Sequence, residues 1–307
     1  MADSDRTASL MTPSKLAQAG RAKAPVSPSA WLDQMAADAG HMHVRRLGEL
    51  LEVLETHARG RNYAPLVQAL EELLQALPGL DFSLLESKGW WARTTGKTRS
   101  AGAEFAGQFE GIDDAVKAVV ARAQSLQKTA QAEAAATERT LLEMEVEYTA
   151  IDKILEQGAR WLQDMRKQLQ DRQAKAADAA SQQQLREDSA RCEILTARLK
   201  LLKVAATAAQ GIHKEAQATS AQRAALVQVL QQAQASDIKS WQSRISALAA
   251  AAADDKLPSS VDGPKETHRD LQLCIKQVLA DCGQLQSQEQ QLAASLKLLG
   301  QQLETLR

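Results

Sequence analysis

The chain has 307 residues, of which 44% are hydrophobic, mostly Ala and Leu, and only 3% are aromatic. Its 37 basic and 38 acidic residues give a net charge of -1, so no bulk field attracts nucleic acid or an anionic membrane. The three cysteines are too few and too irregularly spaced for a disulfide framework or a zinc module, which excludes small disulfide-rich and zinc-finger proteins.

Residues 1–28 hold three of the seven prolines together with Ser, Thr and Ala. This composition predicts a disordered N-terminal tail. No apolar run of the kind that a signal peptide needs occurs in the first thirty residues, and the cysteine usage fits a reducing compartment. We therefore expect a cytoplasmic protein.

Residues 29–103 are predicted to contain short amphipathic helices and an aromatic junction. Apolar residues recur at helical spacing from Val44 to Leu54 and from Leu66 to Leu77. Pro65 suits the first turn of a helix, and Pro78 followed by glycine suits a stop. We expect these helices to form a small N-terminal base.

The junction, from Leu80 to about Gly111, holds half of the aromatic residues, with a loop marked by Gly89, Gly96 and Gly102. Basic residues surround two adjacent tryptophans there, and no acidic residue lies between Glu86 and Glu104. The tryptophans could plug the base, bind a protein partner or contact the inner membrane surface weakly. The candidate contact residues are Trp90, Trp91, Arg93, Lys97 and Arg99.

Residues 104–307 are predicted to form a long coiled-coil domain, with helices at about 104–176, 183–253 and 265–307. No proline occurs between Pro78 and Pro258, and the composition strongly favours helix. Apolar residues alternate at steps of four and three, which is the spacing of a heptad seam. This pattern excludes a parallel sheet, a β-sandwich and a β-barrel.

The predicted seams have two irregularities. In the first long helix a second step of four reaches Ala134, which predicts a stutter with local unwinding of the supercoil. In the last helix only Glu289 departs from an apolar seam that runs from Leu271 to Leu306. Because the first two long helices have similar lengths, we expect a hairpin whose tip lies near residues 170–184. The predicted fold class is all-α, an elongated antiparallel three-helix coiled coil with a small helical N-terminal base.

The chain resembles the TelA-like toxic anion resistance family, long helical bacterial proteins associated with tellurite resistance. The resemblance lies in WWARTTGKTRSAGAEFAGQFEGIDDAVKAVVARAQSLQKTAQ, in ERTLLEMEVEYTAIDKILEQGARWLQDMRKQL and in IHKEAQATSAQRAALVQVLQQAQASDIKSWQSRISAL. Gly158 falls on a glycine step between Ile151 and Leu162, and Trp241 falls on the family's tryptophan. The resemblance covers about residues 90–307 and implies a role in resistance without a catalytic motif.

Three features of the sequence could suggest chemistry. Thr94–Thr98 reads TTGKT, but the glycine that a phosphate-binding loop requires is replaced by Trp91, and no strand precedes it. His41 and His43, with His57, lack further ligands at metal-binding spacing. Cys192 and Cys282 occupy seam positions and Cys274 lies beside one, where cysteine acts as a small hydrophobic residue. We expect no catalytic residue, nucleotide, cofactor or metal site.

Two classes of function remain open from the sequence. One is a non-enzymatic scaffold or adaptor in toxic anion (tellurite-type) resistance or a cell-envelope stress response, with protein partners and no nucleic acid. The other is a secreted or phage-type helical structural protein, such as a translocator or needle-tip component. Neighbouring genes would discriminate between them, since resistance genes favour the first class and secretion genes the second.

Overall fold

The structure is a computed structural model that describes residues 39–86, 97–175, 178–254 and 260–306. In these ranges the regular elements are all helical and no strand occurs, which confirms the all-α class. None of the described helices has an apolar stretch long enough to cross a membrane. The α-helices are α1 (His41–Gly60), α2 (Ala64–Ala76), α3 (Lys97–Gln173), α4 (Ala179–Ala233), α5 (Lys239–Ala253) and α6 (Asp262–Glu304).

Local sequence signals account for the helix ends. Pro65 lies in the first turn of α2, and the helix passes at Leu77 into a single 3-10 turn with Pro78, as predicted. The carboxylate of Asp178 accepts a hydrogen bond from the Ser181 backbone N–H at 3.2 Å and so caps α4. The turn between α3 and α4 therefore lies inside the predicted tip.

A π-helical turn, Gln234–Ile238, joins α4 to α5. The predicted seam has an interval of eight residues between Ala233 and Trp241, one more than a heptad. A π-turn absorbs one extra residue, and Ile238 is buried in this interval. The three segments thus continue as one helical stretch with the core face restored after the insertion.

The described residues group into two compact units. The first unit contains residues 39–58, 137–175, 178–217 and 291–306. Its core combines α1 with parts of the three longest helices. In this unit α3 and α4 are antiparallel, because Arg172 contacts Asp188 at 2.8 Å while Asp152 accepts a hydrogen bond from Gln210 at 2.7 Å.

The second unit contains residues 59–86, 97–136, 218–254 and 260–290. Its core joins α2, the 3-10 turns Leu77–Gly79 and Phe82–Leu85, α5 and parts of the longest helices. In this unit α3 runs antiparallel to α5. Gly102 of α3 lies against Ala252, and Asp113 accepts a hydrogen bond from Gln242 at 2.7 Å. The predicted boundary between residues 103 and 104 falls within α3, which begins at Lys97.

The heptad seams predict the buried faces well. All of the predicted seam positions in α6 are buried, including Glu289. In α3 the prediction for Ala134 is wrong, because this residue is exposed and Glu133 takes the half-buried position. Glu133 faces inward because its carboxylate pairs with Arg61 at 3.1 Å. The two consecutive steps of four then run from Glu133 through Thr137 to Leu141, about two turns later than predicted.

Gly102 lies inside α3 and not in the predicted loop. A Cβ atom at this position would lie 2.2 Å from the backbone oxygen of Ala252. Backbone atoms cannot move aside as the end of a flexible side chain can, so only glycine allows this approach of α3 to α5. The sequence analysis singled out this glycine as part of a loop, but glycine is needed here because two helices pack closely.

Candidate functional site

The structure describes residues 80–86 and 97–111 of the predicted aromatic junction, and Phe82 and Phe105 are buried there in the second unit. Trp90, Trp91 and Arg93 lie outside the described residues. Lys97 and Arg99 belong to the first turn of α3, and their side chains are also outside the described set. The contact surface of the junction therefore stays a prediction from sequence.

Trp241, the tryptophan matched to the family, is fully buried in the second unit. Its indole N–H donates to Nδ1 of His268 at 3.0 Å, and its ring lies 5.6 Å from that of Phe109. Burial lowers the pKa of His268, and an Nδ1 that accepts a hydrogen bond requires the neutral imidazole. Trp241 is thus part of the core, with its polar atom satisfied.

Gly158, the second matched residue, lies at a close contact in the first unit. A Cβ atom there would lie 2.7 Å from Cδ1 of Leu199. Since Leu199 is on α4, the absence of a side chain at Gly158 of α3 allows the two helices to approach each other. Both matched residues therefore have packing roles.

The three cysteines lie where the sequence predicts. Cys192 and Cys282 are buried and Cys274 is half-buried. Burial raises the pKa of Cys274 to about 11 and that of Cys282 to about 12, and it also raises the pKa of Cys192. Since the thiolate is the nucleophile, these thiols are poorly suited to covalent or redox chemistry at neutral pH.

His43, near the start of α1, has a structural contact. Nδ1 of His43 lies 2.7 Å from a carboxylate oxygen of Glu147 in the first unit. Within the described ranges no three residues of the types His, Cys, Asp and Glu are grouped so that they could hold a metal ion.

A buried ionic cluster in the second unit surrounds Glu289, the polar residue of the α6 seam. Its side chain is only 3% exposed. Arg61, from the turn between α1 and α2, donates to Glu289 at 3.0 Å and to Glu133 at 3.1 Å. Arg223 of α4 donates twice to Glu289, with 3.0 Å for the bond from Nε, and the hydroxyl of Tyr63 lies 3.5 Å away. Two guanidinium groups thus compensate one carboxylate.

The ionic cluster borders a cavity of about 280 Å³ in the second unit. Arg61 and Arg223 line it, together with Arg122 and Glu133. Because charged groups in a helix seam cost stability unless paired, their usual effect is to fix which residues face each other. The cluster therefore sets the register of the helices, and the partners of Arg61 and Arg223 already satisfy most of the charge at the cavity wall.

Sequence reasoning missed the arginines of this cluster. A signal exists for Arg223, which lies at seam spacing three residues before Leu226 and therefore places a positive charge on the buried face of α4. Because Arg223 and Glu289 both lie on buried seams and carry opposite charges, the sequence could have predicted that they pair. Arg61 gives no such signal, because it lies in a turn.

The outer face of α4 carries a second apolar seam in the first unit. Ile194, Leu201 and Val204 are 59%, 51% and 65% exposed. They belong to a run with regular steps of four and three, which we call the outer seam. The outer seam consists of Ala190, Ile194, Ala197, Leu201, Val204, Ala208 and Gly211.

The outer seam lies opposite the buried seam of the same helix segment. The buried seam consists of Cys192, Leu195, Leu199, Leu202, Ala206 and Ala209. At about 100° per residue, the mean directions of the two seams differ by roughly 160°. The segment 190–211 therefore has one apolar face in the core and another facing solvent, a pattern that a search for a second heptad could have found.

Comparison of the chain with protein-family models, with curated proteins and with solved structures finds no match.

Proposed function

We propose that the protein is a non-enzymatic helical scaffold or adaptor that binds a partner helix along the outer seam of α4. We place it in the cytoplasm, in the toxic anion (tellurite-type) resistance or cell-envelope stress response that the sequence resemblance implies. The observation that carries the adaptor function is the heptad spacing of exposed apolar residues on a helix whose opposite face is already buried.

Exposed apolar residues are common when they are scattered singly. Seven small or apolar residues at regular heptad positions form a continuous stripe instead, and such stripes are the usual docking surface for amphipathic helices. Ile194 and Leu201 supply side chains that insert into a facing helix, while Ala197 and Gly211 leave space for its side chains. The partner that fits is therefore an amphipathic helix with an apolar heptad face.

Charges beside the outer seam restrict the partner further. Lys200 and Lys203 are exposed on the same stretch of α4, and Glu193 lies about two turns before Lys200. Charges that flank an apolar seam select the orientation and identity of a helical partner. We expect acidic residues on the partner helix beside the two lysines.

For the arrangement of the helices we propose an antiparallel three-helix coiled coil. Pairs within each unit support this proposal. In the second unit Trp241 pairs with His268 and Arg223 with Glu289, so residue numbers rise along α6 as they fall along the neighbouring helix. Crosslinking of engineered cysteine pairs at adjacent seam positions would test it, and links formed only between parallel registers would contradict it.

The function can be tested by complementation. A host strain lacking the gene is supplied with the wild-type chain or with the double variant Ile194→Lys and Leu201→Lys, and growth in tellurite is measured. The control is Leu273→Lys on α6, because Leu273 is 56% exposed and lies outside the outer seam. We expect the wild type and the control to restore tolerance and the double variant to fail while keeping its helicity and abundance.

Two results would contradict separate parts of the proposal. A deletion strain with unchanged tolerance would remove the resistance role. A double variant that restores tolerance as well as the wild type would remove the outer seam as the functional surface.

A further inference from the structure

We propose that the cavity of the second unit binds a small organic monocarboxylate with an apolar body, and that Arg122 holds its carboxylate. The cavity has a volume of about 280 Å³, and its lining residues belong to the second unit. The outer seam belongs to the first unit, so the two sites are separate. Ligand binding in the cavity therefore does not depend on the adaptor function.

One face of α3 forms a long wall of the cavity. The lining residues on this helix are Arg122, Ser125, Leu126, Thr129, Ala130 and Glu133. At 3.6 residues per turn these positions share one face of the helix. The two charged residues lie at opposite ends of the wall, about 16 Å apart along the helix axis. Leu126 and Ala130 lie between them, so the wall is basic at one end and apolar in its middle.

The polar groups that the lining leaves for a ligand are mainly hydrogen-bond donors. Oδ1 of Asn62 accepts a hydrogen bond from the backbone N–H of Ala64 at 3.0 Å, so Asn62 has its NH2 group to offer. The carboxylate of Glu133 already accepts from Arg61 at 3.1 Å. A ligand that accepts hydrogen bonds therefore suits the cavity better than one that donates them.

The charges around the cavity leave one positive charge uncompensated. Glu133 and Glu289 balance the two arginines of the ionic cluster. Arg122 also lines the cavity, and among the described residues it has no carboxylate partner. A monoanion would compensate this charge. A dianion would bring a further negative charge close to Glu133, which favours a ligand with a single carboxylate.

Arg122 and Ser125 are three residues apart and thus lie side by side on α3. A guanidinium can donate two parallel hydrogen bonds to a carboxylate, and a hydroxyl can donate another. The body of the ligand would then contact Leu126 of the same wall and Leu66 of α2, which both line the cavity. An inorganic anion has no apolar surface to bury there, so an organic carboxylate fits better.

The volume sets the size of the ligand. An apolar cavity of about 150 Å³ accommodates benzene. The cavity of about 280 Å³ is therefore large enough for an aromatic ring together with its carboxylate. Benzoate combines the required charge, ring and size, and it is the probe for the test.

The test is an NMR titration of the full-length chain with benzoate at constant ionic strength. Acetate is the control that lacks the apolar body, and benzyl alcohol is the control that lacks the charge. We expect saturable binding of benzoate with a Kd of about 1 mM, given the usual affinity per atom of small ligands. Acetate and benzyl alcohol should bind about tenfold more weakly or worse.

Variants locate the binding in the cavity. Arg122→Ala should weaken benzoate binding about tenfold or more, because a hydrogen-bonded charge pair is lost. The matched control is Lys128→Ala, which removes the same charge from an exposed position of α3 outside the lining. It should change the Kd less than about twofold, because exposed charges are screened by salt. Ala130→Phe should also weaken binding, because its ring fills the apolar part of the cavity at unchanged charge.

Several results would overturn the proposal. One is the absence of saturable benzoate binding, and another is equal weakening by Arg122→Ala and Lys128→Ala, which would indicate a response to overall charge. Acetate that binds as tightly as benzoate would remove the organic ligand class. The titration contains no partner and no tellurite, so its failure leaves the complementation result intact.

Discussion

The cores of the two units use different side chains. Among the described residues the largest fully buried side chains, Trp241, Tyr63 and Phe105, all belong to the second unit. The second unit also buries the ionic cluster around Glu289. In the first unit the large fully buried residues are aliphatic, such as Leu47 and Met144. The second unit thus holds its buried carboxylate between two buried arginines, whereas the first pairs its buried Asp188 with the more exposed Arg172 and Arg191.

Removing the carboxylate of the ionic cluster should give the largest effect. Glu289→Ala leaves Arg61 and Arg223 buried without their shared partner, and we expect a loss of about 3–5 kcal/mol in the free energy of unfolding of the second unit. Hydrogen exchange combined with urea denaturation would report each unit separately. The control Glu143→Ala removes a partly exposed carboxylate from the first unit and should cost less than about 1 kcal/mol.

Similar losses for Glu289→Ala and Glu143→Ala would contradict the comparison between the units. A Glu289→Ala loss spread evenly over both units would contradict it as well, because the cluster belongs to the second unit alone.

Substituting alanine for one glycine in each unit should cost different amounts of stability, because the two glycines contact different kinds of atoms. Gly102→Ala forces a Cβ atom against the backbone of Ala252, and we expect it to destabilise the second unit by about 1–3 kcal/mol. Gly158→Ala meets only the flexible end of Leu199, so part of its cost is offset by roughly 1 kcal/mol of helix propensity.

Gly283→Ala serves as the control for helix propensity, since nothing lies within 4 Å of its Cβ position, and it should stabilise slightly. The melting temperatures of the three variants rank their effects on stability. Equal losses for Gly102→Ala and Gly158→Ala would show that the backbone contact is not tighter than the side-chain contact.

Acidification should weaken the second unit. Burial lowers the pKa of His268, so the unfolded chain binds a proton at a pH where the folded chain does not. The contribution of the neutral imidazole is complete above the unfolded pKa of about 6.5 and is lost as pH falls below it, by at most about 1.4 kcal/mol per pH unit. Urea denaturation between pH 7.5 and pH 5.5 measures this slope.

The variant His268→Gln should be less stable at pH 7.5 and should lose this part of the pH dependence. A wild-type second unit with the same stability at both pH values would contradict the assignment to His268.

The smallest effect is expected for the cysteines. Because burial raises the pKa of all three thiols, a water-soluble disulfide reagent should modify the folded protein far more slowly than the urea-unfolded protein. A variant with all three cysteines changed to Ala should keep tolerance to tellurite in the complementation assay. Complete loss of tolerance at normal abundance would instead favour a thiol mechanism.

Much of the helical structure follows from local sequence. The heptad spacing predicts which residues of α6 are buried, from Leu271 to Leu303, because apolar periodicity depends only on neighbours along one helix. Pro65 and Pro78 mark the ends of α2 for the same reason, since proline acts on its own backbone. Burial of Cys192 and Cys282 follows from their positions in the seams.

The candidate sites depended more on contacts between distant segments. The outer seam could have been read from the sequence as a second heptad, but only the structure shows that its larger side chains, Ile194, Leu201 and Val204, are exposed. The junction around Trp90 and Trp91 is still known from sequence alone. The sequence analysis therefore predicted one surface for binding, the junction, and missed the outer seam.

Only the tertiary structure decided the pairings between helices. Periodicity identifies a buried face, but it does not say which residue of another helix lies opposite. For that reason the sequence singled out Glu289 without its partners Arg61 and Arg223, which lie 228 and 66 residues away along the chain. The wrong prediction that Ala134, and not Glu133, faces the core has the same cause. The carboxylate of Glu133 faces inward only because the guanidinium of Arg61, from a distant turn, is there to bind it.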